Sequence, residues 1–131
     1  MTNKELITAY YKMWNDQDFE NANTILADDV KFRGSLDITA NGIEGFKEYA
    51  QLITTAIPNL YHAIEMSVYD TNTVAIYVTY TGTHLGELFD YKPTGKRICY
   101  SGASFFQIRN SKIQSINVLG DLNSLHKQLG E

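Results

Sequence analysis

The chain has 131 residues and a formal net charge of −4 at pH 7, and its 11 lysine and arginine residues are scattered along the sequence. This length is typical of one domain that buries roughly two-thirds of its unfolded surface, so we expect a single domain over residues 1–131 with room for a core and a pocket. The scattered cations form no basic stripe, which predicts that nucleic acid is not a partner.

Cysteine content and hydropathy exclude two further classes of protein. Cys99 is the only cysteine, which excludes an intramolecular disulfide framework and a cysteine-based metal cluster and favours a reducing, cytoplasmic location. The first residues are polar, and the longest strongly apolar run, residues 74–80, is far shorter than the ~20 residues that cross a bilayer. We therefore expect a soluble, unprocessed chain with no membrane partner.

The first elements along the chain are predicted to be helices. Thr2 followed three residues later by Glu5 is a capping box, and apolar residues then recur at helical spacing as far as about Asn15. Asp18 is a favoured N-cap residue, and the apolar positions after it predict a short second helix that runs through Leu26. The chain is thus expected to open with two consecutive helices.

Strand patterns follow, interrupted by one more helix. Residues 30–35 alternate apolar and polar side chains, which is the period of a strand with one buried face. Residues 42–57 return to helical spacing and predict a third helix that ends at Pro58. The remaining sequence predicts four strands, over residues 60–70, 74–86, 98–109 and 112–119, with a tight hairpin turn at Asn110-Ser111.

The alternation in the first two of these strands predicts which side chains face the helices. The expected inward residues are Leu60, His62, Ile64, Met66 and Val68 in one strand and Val74, Ile76, Val78, Tyr80 and His84 in the next. Helices followed by a meander predict one α+β domain in which a curved antiparallel sheet wraps around the helices. The outer face of that sheet would be free for a partner subunit.

One acidic residue is the main candidate for chemistry. Asp121 lies in the segment Val118-Leu119-Gly120-Asp121-Leu122, at the end of the last predicted strand. Burying a carboxylate is costly unless it is paired or hydrogen-bonded. Asp121 is therefore expected either to cap the terminal segment, residues 122–129, or to take part in catalysis, and the residues alone leave both roles open.

Several short motifs point to a known family. In order, they are Thr81-Gly82-Thr83-His84-Leu85-Gly86, Pro93-Thr94-Gly95-Lys96, Phe105-Phe106, Lys112-Ile113, Asp121 and Gln128-Leu129-Gly130. Residues 42–46 and 57–62 agree with the same pattern. With these motifs the chain resembles, over nearly its whole length, the SnoaL-like polyketide cyclases, also called ester cyclases, of the NTF2-like superfamily. The resemblance implies a cone-shaped α+β barrel around three N-terminal helices, a deep pocket, and a homodimer through the outer sheet face.

The resemblance also implies an activity. Members of this family close a ring by intramolecular aldol condensation without a cofactor, and Asp121 matches the position of their acid/base aspartate. A carbon flanked by a ketone and an ester is acidic enough for a carboxylate base of modestly raised pKa, which the neighbouring Leu119 and Leu122 would provide. The expected ligand is a small or medium apolar carbonyl compound, with neither a metal nor a cofactor.

Three positions depart from the family pattern. Ser115-Ile116-Asn117 stands where the family often has Glu-x-Trp, Gln107 replaces the usual Arg after the paired aromatic residues, and Ser111 replaces the usual Gly of the last hairpin. The small, polar Asn117 is expected to change which substrates the pocket wall recognises. We therefore expect Asn117 to contact the substrate.

Four more side chains are candidates for substrate binding, and each has a structural alternative. Tyr10 and Trp14 share a helical stripe that is either core or pocket wall. His62 is either core or pocket lining, and His84 either faces the pocket or is hydrogen-bonded near a strand end. Pro93-Thr94-Gly95-Lys96 lacks the upstream glycine and following helix of a phosphate-binding loop and predicts a β-turn, and the histidines have no metal-site spacing.

The sequence leaves three functions open. The first is a SnoaL-like acid/base enzyme with Asp121 as the catalytic group. The second is a non-catalytic ligand-binding or dimerisation module of the same fold, which the departures at Gln107 and Asn117 favour. The third is a ketosteroid-isomerase-like or epoxide-hydrolase-like enzyme, which needs carboxylates or a tyrosine beside Asp121. An enclosed cavity of at least ~300 Å³ at Asp121 would favour the enzymes.

Overall fold

A computed structural model describes residues 1–130 and shows three α-helices and a six-stranded sheet, which confirms the α+β class. The elements, in chain order, are α1 (Asn3–Asp16), a 3₁₀ turn (Ala22–Thr24), β1 (Leu26–Arg33), β2 (Thr39–Asn41), α2 (Gly42–Ala56), β3 (Tyr61–Tyr69), β4 (Thr73–Thr83), β5 (Arg97–Arg109), β6 (Lys112–Gly120) and α3 (Leu122–Gly130).

The sheet is open and mixed. Its strand order is β2-β1-β6-β5-β4-β3, so β2 and β3 form its two edges. All neighbouring strands are antiparallel except β1 and β6, which are parallel, whereas the sequence predicted an antiparallel sheet throughout. The helix α1 packs against β3, α2 packs against β1 and β2, and α3 packs against β5. Two of the three helices therefore come early in the chain and the third lies at its end.

The first helix forms as predicted. The Thr2 hydroxyl accepts a hydrogen bond from the Glu5 backbone N–H at 3.1 Å, and the Glu5 carboxylate accepts one from the Thr2 N–H at 3.0 Å, which completes the capping box. At the other end, Gln17 adopts a left-handed conformation with φ of 52° and its N–H donates to the carbonyl groups of Met13 and Trp14. Both ends of α1 are thus fixed by local contacts.

The predicted second helix is wrong. Only residues 22–24 form a 3₁₀ turn, and Leu26 already belongs to β1. Leu26 is fully buried opposite Ile113 of β6, and the Ile113 N–H donates to the Ile25 carbonyl at 2.9 Å. Tertiary pairing with β6 therefore overrides the helical spacing of this segment, and β1 starts four residues before the predicted strand.

The inward face of β3 is only partly as predicted. Leu60 and His62 are buried, but Ile64, Met66 and Val68 are 45%, 62% and 58% exposed. The register shifts between Ile64 and Met66, where a β-bulge adds one residue to β3. A shift of one residue moves the following side chains to the opposite face, so Met66 and Val68 lie on the outer face of the sheet.

The helix α2, the strand β4 and the last hairpin turn follow the predicted pattern, whereas the short strand β2 was not predicted. The helix α2 buries Phe46, Tyr49, Ala50, Ile53 and Ala56, and β4 buries Val74, Ile76, Val78 and Tyr80. Asn110 and Ser111 both have positive φ, at 52° and 60°, as a two-residue hairpin turn requires. Within residues 1–130, no helix has the length and hydropathy needed to cross a membrane.

Candidate active site

An internal cavity lies between the helices α1 and α2 and the inner face of the sheet. It has a volume of about 20 Å³, which is room for about one water molecule. Its walls are aromatic, aliphatic and hydroxyl-bearing side chains and one histidine, with no charged residue. The lining residues are Tyr10, Tyr11, Trp14, Phe32, Ser35, Tyr49, Ile53, Leu60, His62, Tyr80, Ser104 and Val118.

Two polar atoms of this lining have no hydrogen-bond partner. The Tyr11 hydroxyl and His62 Nδ1 are both buried and unpaired. A buried polar group without a partner costs about 1–3 kcal/mol, so native proteins rarely keep one unless it serves a function or binds a water or ligand. Two such groups line the same cavity.

His62 is surrounded by aromatic rings. Its ring centroid lies 5.8 Å from Tyr11, 5.1 Å from Trp14 and 5.2 Å from Tyr80. Burial in this apolar setting lowers the pKa of His62 from 6.5 to about 3, because the charged imidazolium loses its hydration. His62 is therefore neutral near pH 7 and offers one donor and one acceptor nitrogen.

The tyrosines of the cavity are also held in their neutral form. Burial raises the pKa of Tyr11 and Tyr80, and the nearby Ser104 hydroxyl offsets only a small part of that rise. Ser104 does not give the Tyr11 hydroxyl a hydrogen bond of acceptable geometry. At neutral pH these side chains are consequently hydrogen-bond donors that can stabilise negative charge on a bound oxygen atom.

The loop between β1 and β2 closes one end of the cavity. The Ser35 and Tyr100 hydroxyls lie 3.0 Å apart in a buried hydrogen bond, and the Leu36 N–H donates to the Tyr49 hydroxyl at 3.4 Å. A Cβ at Gly34 would lie 2.2 Å from the Tyr49 ring, so only glycine fits there. The loop is thus packed directly on the cavity wall.

Comparison with known proteins places this chain in a family. The family model described as SnoaL-like polyketide cyclase matches residues 4–129. The chain belongs to the SnoaL-like polyketide cyclase family.

Several solved structures share the fold at low sequence identity. A SnoaL-like polyketide cyclase from Agrobacterium tumefaciens is 23% identical, with a TM-score of 0.84 and 99% of each chain covered. IdmH from Streptomyces antibioticus is 20% identical, with a TM-score of 0.86 and 100% of each chain covered. TsrD from Streptomyces laurentii is 19% identical, with a TM-score of 0.86, and the match covers 97% of this chain and 93% of TsrD. No curated protein matches the sequence.

Asp121, the predicted acid/base residue, lies outside the cavity. Asp121 is exposed, and its Oδ1 accepts a hydrogen bond from the Ser124 backbone N–H at 3.1 Å at the start of α3. The cavity lining includes neither Asp121 nor any other carboxylate. The observed contact is that of a helix N-cap, which is the structural alternative for this residue. Its catalytic role stays a prediction.

The other predicted site residues divide into two groups. Tyr10, Trp14 and His62 line the cavity, whereas His84 and Asn117 do not. His84 is fully buried, and its Nδ1 accepts a hydrogen bond from the Thr94 N–H at 3.2 Å, so its ring holds the turn at residues 93–96 against β4.

Asn117 lies on the opposite side of the sheet from the cavity. Its neighbours Ile116 and Val118 are buried on the inner face, so the two-residue period turns Asn117 outward. There it lines a groove of about 460 Å³ on the outer face, together with Lys31, Arg33, Phe105 and other residues. A polar substitution at this position therefore changes the outer face rather than the cavity wall.

The sequence interpretation missed several residues of the cavity. They are Tyr11, Ser35, Tyr49, Tyr80 and Ser104 in their role as cavity lining. Ser104 carried a usable signal, since a hydroxyl lies on the buried phase of β5 next to Phe106. In the described part of the chain, no three histidine, cysteine or acidic residues come together.

Proposed function

We propose that this chain is a cofactor-independent enzyme of the SnoaL type that acts on a small, uncharged carbonyl compound in the internal cavity. The observation that supports the proposal is the pair of buried, unpaired polar atoms, Tyr11 Oη and His62 Nδ1, in one cavity wall. The uncharged lining favours a neutral substrate, because a charged one would lose its hydration without gaining a counterion.

The two groups can divide the chemistry of an aldol-type ring closure. The Tyr11 hydroxyl donates a hydrogen bond to the substrate carbonyl oxygen, and His62 Nδ1 takes the proton from the adjacent carbon. The resulting enolate carbon attacks a second carbonyl group of the substrate and forms the new carbon–carbon bond. The imidazolium then returns its proton to the alkoxide oxygen, so no net charge is left behind.

The low pKa of His62 constrains this mechanism. A base with a pKa of about 3 is weak in the empty cavity. An enolate beside the imidazolium favours the charged form of His62, because opposite charges in a site that excludes water attract strongly. The cavity of about 20 Å³ holds about one water molecule, so binding of a carbonyl substrate requires the cavity wall to move.

Tyr11→Phe is expected to lower catalysis and to leave stability unchanged or higher. The experiment measures deuterium uptake from D₂O at the carbon between the ketone and ester of ethyl 2-methylacetoacetate by NMR. Loss of one oxyanion donor is expected to reduce the catalysed rate by about 100-fold. Because the Tyr11 hydroxyl has no partner, its removal breaks no hydrogen bond.

Tyr100→Phe is the matched control. Its hydroxyl is bonded to Ser35, so the variant is expected to lose about 1 kcal/mol of unfolding free energy and to keep its exchange rate. Equal exchange rates in the Tyr11→Phe variant and the wild type would exclude Tyr11 from the reaction.

Asp121→Asn is expected to retain both turnover and stability. Asparagine caps helices about as well as aspartate, and its side-chain oxygen accepts the Ser124 N–H equally. Asp121→Ala should lose about 1 kcal/mol of unfolding free energy, again with normal turnover. If Asp121→Asn loses turnover while it still binds ligand, Asp121 is the catalytic acid/base and the cavity assignment fails.

A non-catalytic binding module is the second candidate. The cavity holds about 20 Å³ and does not reach Asp121, so it does not meet the ~300 Å³ expected there for an enzyme, and this and the low basicity of His62 favour a binding module. Trp14 is the only tryptophan and lines the cavity, so its fluorescence reports occupancy directly. A compound that changes Trp14 emission in a saturable way without deuterium uptake would favour binding over catalysis.

We also propose that two copies of the chain pair through the outer face of the sheet. Adjacent strands expose large apolar side chains on this face: Met66 and Val68 of β3, Tyr77 of β4, Phe105 of β5 and Leu119 of β6, each between 43% and 62% exposed. Met66 of β3 lies opposite Tyr77 of β4, and Phe105 of β5 lies opposite Asn117 of β6, so these side chains are neighbours on the outer face. Contiguous apolar surface of this kind marks interaction sites, and a second copy offers the same surface in return.

Phe105→Glu is expected to prevent this pairing. A charged side chain in the centre of an apolar interface must lose its hydration on association, so the dimer should dissociate to monomers at micromolar concentration. Sedimentation velocity measures the change. Leu52→Glu is the control, because Leu52 is 49% exposed on the helix α2 and does not lie on the outer face of the sheet. A monomeric wild type, or a dimer that survives Phe105→Glu, would contradict the proposed interface.

A further inference from the structure

The backbone of His62 is held by a side chain of α1. Asn15 Oδ1 accepts a hydrogen bond from the His62 N–H at 2.8 Å, and Asn15 Nδ2 donates one to the His62 carbonyl oxygen at 3.1 Å. The strand β3 is an edge of the sheet, and His62 pairs with Tyr80 of β4 on its other side. The Asn15 amide therefore occupies the place that the peptide group of a neighbouring strand would take.

The C-terminal half of α1 makes further contacts with His62. Tyr11 and Trp14 pack their rings against the imidazole, at centroid distances of 5.8 and 5.1 Å. Tyr11 and Asn15 are four residues apart and lie on one face of the helix. The same face of α1 thus carries the hydroxyl that lines the cavity and the amide that fixes the His62 backbone.

We propose that Asn15 is a positioning residue that sets the distance between His62 Nδ1 and the Tyr11 hydroxyl. This inference rests on the proposed function of these two groups. Asn15 does not line the cavity and touches no substrate there. Without its amide, β3 loses the two hydrogen bonds that tie the His62 backbone to α1, and the position of the imidazole relative to Tyr11 is less well fixed. Misplacement of a reacting group by about 1 Å can cost about 100-fold in rate.

The chain contains a matched control for this contact. Gln128 of α3 makes the same double contact with the backbone of Cys99: its Oε1 accepts from the Cys99 N–H at 2.8 Å and its Nε2 donates to the Cys99 carbonyl at 2.7 Å. At Cys99, β5 pairs with Thr81 on one side and extends beyond β6 on the other. Neither Gln128 nor Cys99 lines the cavity.

The test compares Asn15→Ala with Gln128→Ala in two measurements. One is deuterium exchange into ethyl 2-methylacetoacetate, and the other is the ¹H–¹³C NMR signal of the His62 ring, assigned by its loss in a His62 variant. Both substitutions are expected to lower the melting temperature to a similar extent. Only Asn15→Ala should move the His62 signal and lower the exchange rate about tenfold or more. Asn15→Asp, which keeps the acceptor for the His62 N–H, should give intermediate values.

Each outcome decides the proposal. A His62 signal that is the same in Asn15→Ala and the wild type, or that moves equally in Gln128→Ala, overturns the positioning role. If Asn15→Ala does not fold, the comparison of Asn15→Asp with the wild type takes its place. If the wild type catalyses no exchange, the proposed function fails by itself, and the His62 signal alone still decides whether Asn15 positions the imidazole.

Discussion

His62→Phe is expected to lower the catalysed exchange rate by at least about 100-fold while the free energy of unfolding stays the same or rises. The loss of rate follows from removal of the proposed base, since general acid–base groups contribute about 100- to 10,000-fold. The effect on stability follows from the unpaired Nδ1 of His62, because an apolar ring of similar shape removes an unmet hydrogen-bonding requirement from the core.

His126→Phe is the control for this prediction. His126 lies outside the cavity, and its Nδ1 is 3.3 Å from the Tyr91 hydroxyl. This variant is expected to lose up to about 1 kcal/mol of unfolding free energy and to keep its exchange rate. Chemical denaturation and the NMR exchange assay measure both quantities. A His62→Phe variant that is destabilised by several kcal/mol and still active would contradict the assigned role.

Acidification is expected to lower the free energy of unfolding through His62 by about 1.4 kcal/mol per pH unit between pH 6.5 and about 3. The pKa of His62 is about 3 in the folded protein, against 6.5 in the unfolded chain. In this range the unfolded chain binds a proton that the folded protein does not bind. The stabilising contribution is therefore fully present above pH 6.5 and decreases as the pH falls.

The measurement is the difference between the wild type and His62→Phe in denaturant unfolding at pH 7.0 and pH 4.5. Acidic groups and the other histidines contribute to both proteins, so they cancel in this comparison. We expect the wild type to lose about 2–3 kcal/mol more than the variant over this range. Parallel losses in the two proteins would show that His62 has an ordinary pKa and is not buried away from water.

Elements that depend on local chemistry could be predicted from the sequence. The capping box of Thr2 and Glu5 needs only residues three positions apart, and the turn at Asn110-Ser111 needs only two residues with positive φ. The buried apolar stripe of α2 likewise depends only on the spacing of residues within that one helix. These predictions are confirmed because no distant contact competes with them.

Elements that depend on distant contacts could not be predicted. Residues 18–26 have helical spacing, but the parallel pairing of β1 with β6 places Leu26 opposite Ile113. No local sequence pattern predicts the bulge between Ile64 and Met66, which follows from the pairing of β3 with β4. In both places, tertiary burial determines the backbone and overrides the local preference.

The candidate site was predictable in part. Tyr10, Trp14 and His62 were expected near a pocket and line the cavity. The helical spacing of α1 did not distinguish Tyr11 from ordinary core residues, although it lines the cavity as well. For Asp121, the sequence allowed both a cap and a catalyst, and the structure shows the capping contact with Ser124. Which unpaired groups meet in one cavity depends on how α1 packs on β3, and the sequence pattern does not contain that packing.

The most direct test of the central claim, that the internal cavity carries the activity, is one deuterium-exchange experiment on three proteins. The wild type, His62→Phe and Asp121→Asn are compared with ethyl 2-methylacetoacetate at pH 7. The account predicts wild-type exchange for Asp121→Asn and background exchange for His62→Phe. The reverse result, an active His62→Phe and an inactive Asp121→Asn, would contradict it and place the chemistry at the start of α3.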